Sequence, residues 1–136
     1  MPDTPIKAAT TVRHDDPAAF DSGLRQFFAY RDLGIADASH GGFGAHVIRP
    51  VPGEHPVPEW HTHALAFQMV YVLRGWVEFE YADVGRVRLV PGSSVYQPPG
   101  VAHREVAHSD DLEMLEVTSP ATFETRVVAA PARPKL

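Results

Sequence analysis

From Trp60 to Val117 the chain is a series of short apolar-rich runs broken by Gly, Pro and Asp. In Trp76–Tyr81, Val77, Phe79 and Tyr81 alternate with Glu78 and Glu80. That period of two buries one face of a strand and wets the other. In Phe67–Leu73 both alternating sets are apolar except for Gln68, the pattern of a strand covered on both faces. The same logic predicts strands over 59–63, 66–74, 76–81, 86–90, 94–97, 103–107 and 112–117, with Arg74-Gly75-Trp76 as a hairpin turn. Short strands at this spacing imply an all-β antiparallel sandwich or barrel with little helix, not βαβ units.

The flanks are less regular. Asp15-Asp16-Pro17 has a capping Asp and a first-turn Pro, so it predicts a short helix ended by Ser22-Gly23. Leu24–Leu33 has aromatic residues at strand-like density, Asp37–Gly44 reads as a loop, and Ala45–Arg49 as a short strand. Four prolines between Pro50 and Pro58 exclude an interior helix or central strand there. Segments 1–14 and 128–136 are expected to be peripheral or flexible.

Composition narrows the class. One domain spanning 1–136 is the expectation at this length. The net charge of -5, with scattered Lys and Arg, argues against nucleic acid. No apolar run is long enough for a membrane helix. There are no cysteines, so disulfides and thiolate sites are excluded. Together with the lack of an apolar leader, this sets the cytoplasm as the expected location.

Eight histidines remain, and three of them are spaced for chemistry. His61-Thr62-His63 places two imidazoles on one face of a strand. Gln68 follows across a tight connection. Downstream, Gly92 is followed by five residues, Pro98-Pro99-Gly100, two residues and His103. The Gly and Pro positions shape a turn that delivers His103 to the start of a new strand. Three imidazoles and an amide either hold one divalent ion or line a polar pocket for a small ligand. His46 and His55 are candidates for the pocket mouth, with Glu54 and Glu59 beside it. Tyr96 and Gln97 are weaker pocket candidates. His14, His40 and His108 are expected in solvent, and Trp60, Phe43, Tyr71 and Trp76 in core or interface.

These spacings resemble the two motifs of the cupin superfamily, G-x5-H-x-H-x(3,4)-E-x6-G and G-x5-P-x-G-x2-H-x3-N. The second is matched from Gly92 through His103 without a gap. At average composition its G-x5-P-x-G part arises about once in 4,000 positions, and in this proline-rich chain about once in 2,000; with His103 and the separate upstream motif added, coincidence is a poor explanation. The resemblance covers residues 53–107 in motifs and extends to 117 in strand pattern. There are three departures: seven residues rather than five separate Gly53 from His61, Gln68 stands where the family has Glu, and Ala107 where it has Asn.

The resemblance implies a double-stranded β-helix, or jelly-roll, barrel and a homodimer. It also implies a metal site of His61, His63, Gln68 and His103. A neutral amide in place of a carboxylate leaves a bound ion one negative charge short. Three imidazoles suit Zn, Cu, Fe and Ni better than Mg or Ca, and the implied cofactor is a divalent transition ion, Fe, Ni, Zn or Mn. The implied activity is metal-dependent chemistry on a small organic molecule, dioxygenase-like or that of an isomerase or lyase. A non-catalytic ligand-binding or sensing module is the alternative. The apolar set Val70, Val72, Val77 and Phe79 disfavours a highly charged nucleotide-sugar. Phe67, Met69, Tyr71 and Leu73 would face away from the interior and need a cover, for which a second copy is the expected partner.

Overall fold

The computed structural model describes residues 9–132. Eleven short strands carry the chain, and the only helix among these residues is the single turn α1 (Ile35–Ala38). The strands form two antiparallel sheets. The six-stranded sheet runs β1 (Asp21–Ser22), β2 (Phe28–Asp32), β3 (Gly44–Pro50), β10 (Glu113–Ser119), β5 (Phe67–Arg74) and β8 (Ser94–Tyr96). The five-stranded sheet runs β11 (Glu124–Val127), β4 (His61–Ala64), β9 (His103–His108), β6 (Val77–Tyr81) and β7 (Gly85–Leu89).

The predicted alternation is realised. On β6, Val77, Phe79 and Tyr81 are buried while Glu78 and Glu80 lie at half-exposed positions. On β5, Gln68, Val70 and Val72 are buried, and Phe67, Tyr71 and Leu73 point outward. The core is built from both sheets: Phe28, Ile48, Val70, Val72 and Met114 from one, Val77, Phe79, Tyr81 and Leu89 from the other. Gly75 makes the β5–β6 turn at φ 67°, where a Cβ would sit 2.9 Å from the Leu112 Cα. Only glycine satisfies both the backbone and the space there.

Three expectations are corrected. The sheets keep open edges and do not close into a hydrogen-bonded barrel. Prolines stand where the chain crosses between them, at Pro52, Pro56, Pro58, Pro91, Pro98, Pro99 and Pro120, and a proline has no N–H to continue a ladder. The helix expected after Asp15 is a turn, with Asp16 Oδ1 accepting from the Ala18 N–H at 3.0 Å. Such local side-chain bonds compete with helix. Strand β11 falls in a polar segment with no clear alternation, and the sequence pattern misses it. Residues 9–14 are exposed and outside any strand, while 1–8 and 133–136 lie outside the described residues.

Candidate metal centre

His61 and His63 lie on β4, and His103 opens the neighbouring β9. His61 is the direct cross-strand partner of His103. Period-two geometry turns His63 to the same side as His61. The ring centroids are 4.9 Å apart for His61 and His63, 4.2 Å for His61 and His103, and 4.9 Å for His63 and His103. One ligating nitrogen from each ring falls within 4.8 Å of the other two. All three side chains are buried, at 0, 5 and 2% exposure in sequence order.

Each imidazole is fixed through its Nδ1. His61 Nδ1 meets the Glu59 carbonyl at 2.9 Å, and His103 Nδ1 meets the Val101 carbonyl at 3.1 Å. His63 Nδ1 meets Thr125 Oγ1 at 2.8 Å, across the β4–β11 pairing. A carbonyl can only accept, so Nδ1 carries the proton in His61 and His103, and their Nε2 lone pairs are free. Such outer partners orient metal-ligating histidines. His61 Nε2 is fully buried and has no hydrogen-bond partner. Burial, reinforced by the charge of neighbouring His103, pushes the His61 and His63 pKa values down to about 3. Burial takes His103 down to about 4. The rings are therefore neutral at physiological pH, as coordination requires. Three buried, neutral imidazoles, each braced from outside the cluster, fit a divalent transition ion.

Gln68 is buried and lines a small cavity beside the cluster, together with His63, His103, Gln97, Glu105 and Glu116. Its amide Nε2 donates to Glu116 Oε2 at 3.1 Å. Burial raises Glu116 to about 7, and burial likewise pushes Glu105 up. Gln97 Nε2 donates to the Tyr81 hydroxyl at 2.8 Å, and the Tyr81 ring stacks on His103 at 5.7 Å. The cavity is only about 20 Å³, but it adjoins an outer chamber of about 640 Å³. Leu24, Tyr30 and Glu116 line both.

Of the other histidines, His46 lines the outer chamber and faces Asp32 across β2 and β3. His14, His40 and His55 are exposed. His108 departs from expectation: it is half-buried beside Phe28, at 5.7 Å between rings. Tyr96 is 55% exposed, whereas Gln97 is inside. Glu54 and Glu59 stay exposed. Arg25, Glu105 and Glu116 are absent from the sequence-derived site. Glu105 stands two residues after His103 and so shares its strand face, a signal that was available. Glu116 shares a face with Met114 and Thr118, where a carboxylate breaks an otherwise buried row.

The chain belongs to the cupin family: the model of the cupin domain matches residues 47–118, which include both motifs. Solved structures give the same fold. KdgF from Halomonas sp. is 22% identical with a TM-score of 0.61, over 81% of this chain and 94% of that one. A sugar phosphate isomerase of the cupin superfamily from Silicibacter pomeroyi is 27% identical with a TM-score of 0.54, over 68% and 59%. A variant of PAC13 from Streptomyces, solved with uridine, is 14% identical with a TM-score of 0.65, over 90% and 95%. No curated protein matches the chain.

Proposed function

We propose that this protein is a metal-dependent enzyme acting on a small organic molecule. In this reading one divalent transition ion, Fe, Ni, Zn or Mn, is held by His61, His63 and His103 through Nε2, with the Gln68 amide oxygen as a fourth donor. The observation that carries the reading is the bracing of all three Nδ1 atoms by oxygen partners, which leaves the buried His61 Nε2 unpaired. A bound ion supplies Lewis acidity to a substrate oxygen.

The rest is the work of this chain's own groups. Glu105 and Glu116 line the cavity beside the histidines and can take a proton from a substrate carbon or oxygen and return it elsewhere. Tyr81 and Gln97 set the wall behind His103. Two carboxylates at the site, Glu105 buried and Glu116 part-buried, favour proton-transfer chemistry, isomerase or lyase, over oxygenation. The likeness to a sugar phosphate isomerase supports the same choice. Incubation of metal-loaded protein with hydroxy-aldehydes and sugar phosphates in deuterated water tests this. Deuterium incorporation lost in Glu116→Gln is expected. Oxygen consumption without deuterium uptake contradicts it.

We further propose that the two sheets are the walls of the family's double-stranded β-helix within a single domain, and that two copies associate through β5. Phe67, Tyr71 and Leu73 are 36, 40 and 45% exposed there, with Tyr96 alongside on β8. Burying such a face against a copy of itself removes large apolar side chains from water.

A further inference from the structure

Among the described residues, six buried side-chain polar atoms lack a partner. Four belong to the metal cluster and its cavity: His61 Nε2, Arg25 Nη2, Glu105 Oε2 and Gln97 Oε1. The ion accounts for His61 and leaves the other three unexplained.

Arg25 is delivered by the segment that leads into β2. A turn fixes its backbone, with the Phe28 N–H donating to the Arg25 carbonyl at 3.2 Å and the Arg25 N–H to the Tyr30 hydroxyl at 3.3 Å. Its side chain is 15% exposed and lines the cavity with His63 and His103. A guanidinium has five N–H donors in a rigid fork. Its Nε is 3.8 Å from Glu105 Oε1. A closed charge-assisted pair would stand at about 2.7–2.9 Å. If Arg25 served only as the counter-ion of Glu105, the pair would close. Instead it stands open, with a buried donor on one side and a buried acceptor on the other.

Charge points the same way. His61, His63, His103 and Gln68 are all neutral donors. With a divalent ion bound, the ion and Arg25 outweigh Glu105 and Glu116 by one positive charge even when both acids are ionised. An anionic ligand offsets that excess.

Resting on the metal-enzyme reading above, we propose that Arg25 anchors an oxyanion of the substrate. The site then takes a small, oxygenated, anionic molecule, a carboxylate or a phosphate. Its body occupies the outer chamber, and its charged end reaches past Leu24 to Arg25. Gln97 Oε1 accepts from a hydroxyl of the same molecule.

The test is calorimetric titration of the full chain, nickel-loaded and metal-free, with glycerate, glycerol phosphate and neutral glyceramide. One or both anions bind wild type, and the two arms tell carboxylate from phosphate. Arg25→Gln weakens anion binding by about tenfold or more, the size of a lost hydrogen bond to a charged group, and leaves glyceramide and metal content unchanged. Arg25→Lys keeps part of the affinity. Equal anion affinity in wild type and Arg25→Gln overturns the proposal, because the metal alone would then take the anion. Failure of both anions to bind wild type also overturns it, since water would then fill the gap. If Arg25→Gln does not fold, the nitrogen-15 resonance of Arg25 Nε in wild type decides: a shift on saturation supports the anchor and no shift rejects it. Should no metal load, Arg25-dependent anion binding in metal-free protein still supports the anchor while the metal reading fails.

Discussion

Gln68 and Glu116 meet inside the molecule, the amide Nε2 of one donating to the carboxylate Oε2 of the other at 3.1 Å across β5 and β10. The contact explains how an amide is held where the cupin motif has a carboxylate. It also changes what a reversion does. From the sequence alone, Gln68→Glu should strengthen metal binding by restoring a charged oxygen. In the structure it sets two carboxylates against each other at a part-buried contact, and one takes up a proton. The single variant should therefore gain little affinity. The pair Gln68→Glu/Glu116→Gln keeps the contact with donor and acceptor exchanged. It should bind nickel or zinc about tenfold tighter than wild type. Competition titration against a chromophoric chelator measures both. Equal gains in the single and double variants would show that Glu116 does not constrain position 68.

The histidines make the metal-free protein acid-sensitive. Their folded-state pKa values, about 3 for His61 and His63 and about 4 for His103, lie below the unfolded value of roughly 6.5. The unfolded chain takes up these protons first. Each ring thus contributes stability fully present above about pH 6.5 and lost as pH falls toward its folded value, at up to ~1.4 kcal/mol per pH unit. Glu116, raised to about 7, acts oppositely: its contribution is present below its ordinary value of 4.5 and lost as pH rises through about 7. Urea unfolding of metal-free protein between pH 7 and 4.5 should show stability falling with acid, more steeply in Glu116→Gln. In the folded state, proton competition for the metal should set in only near pH 4 and not at the pH 6 expected of unperturbed rings. Metal release with a midpoint near pH 6 would show that the rings are not desolvated.

Thr125 braces His63 through Nδ1 at 2.8 Å. Thr125→Val keeps the shape of the side chain and removes the oxygen. Outer partners of this kind are typically worth about 10–100-fold in metal affinity. That loss is expected with little change in the metal-free unfolding midpoint, since β11 lies at a sheet edge. Unchanged affinity would mean that His63 is oriented by packing alone, for instance against Phe123 at 5.1 Å.

Much of this was legible in the sequence because it depends on local periodicity. Strands β5 and β6 alternate cleanly, and the motif histidines bring their own spacing. The turn at Gly75 and the Pro98-Pro99-Gly100 corner were readable for the same reason. What escaped depends on contacts between distant segments. Thr125 is 62 residues from His63 and Glu116 is 48 from Gln68, and nothing local marks either as a partner. Arg25 sits in an aromatic-rich run whose sequence says strand and says nothing of a buried charge. The open sheet edges escaped too, because alternation fixes which face is buried but not whether the last strands pair.

The outward residues of β5 test the proposed self-association. Sedimentation velocity should give a dimer mass, and Tyr71→Asp or Leu73→Asp should shift it toward monomer with the metal site intact. The wild-type chain sedimenting as a monomer across a hundredfold concentration range would remove the dimer.

The central claim is that His61, His63 and His103 converge on one ion. The most direct measurement is elemental analysis of protein purified without chelator, repeated after soaking in Fe, Ni, Zn and Mn, on wild type and His103→Ala. The geometry predicts close to one transition ion per chain in wild type under at least one condition and almost none in His103→Ala, with both proteins retaining the same β-rich circular dichroism. Substoichiometric metal in wild type under every condition, indistinguishable from His103→Ala, would contradict it and leave the three rings as a polar lining for a metal-free ligand pocket.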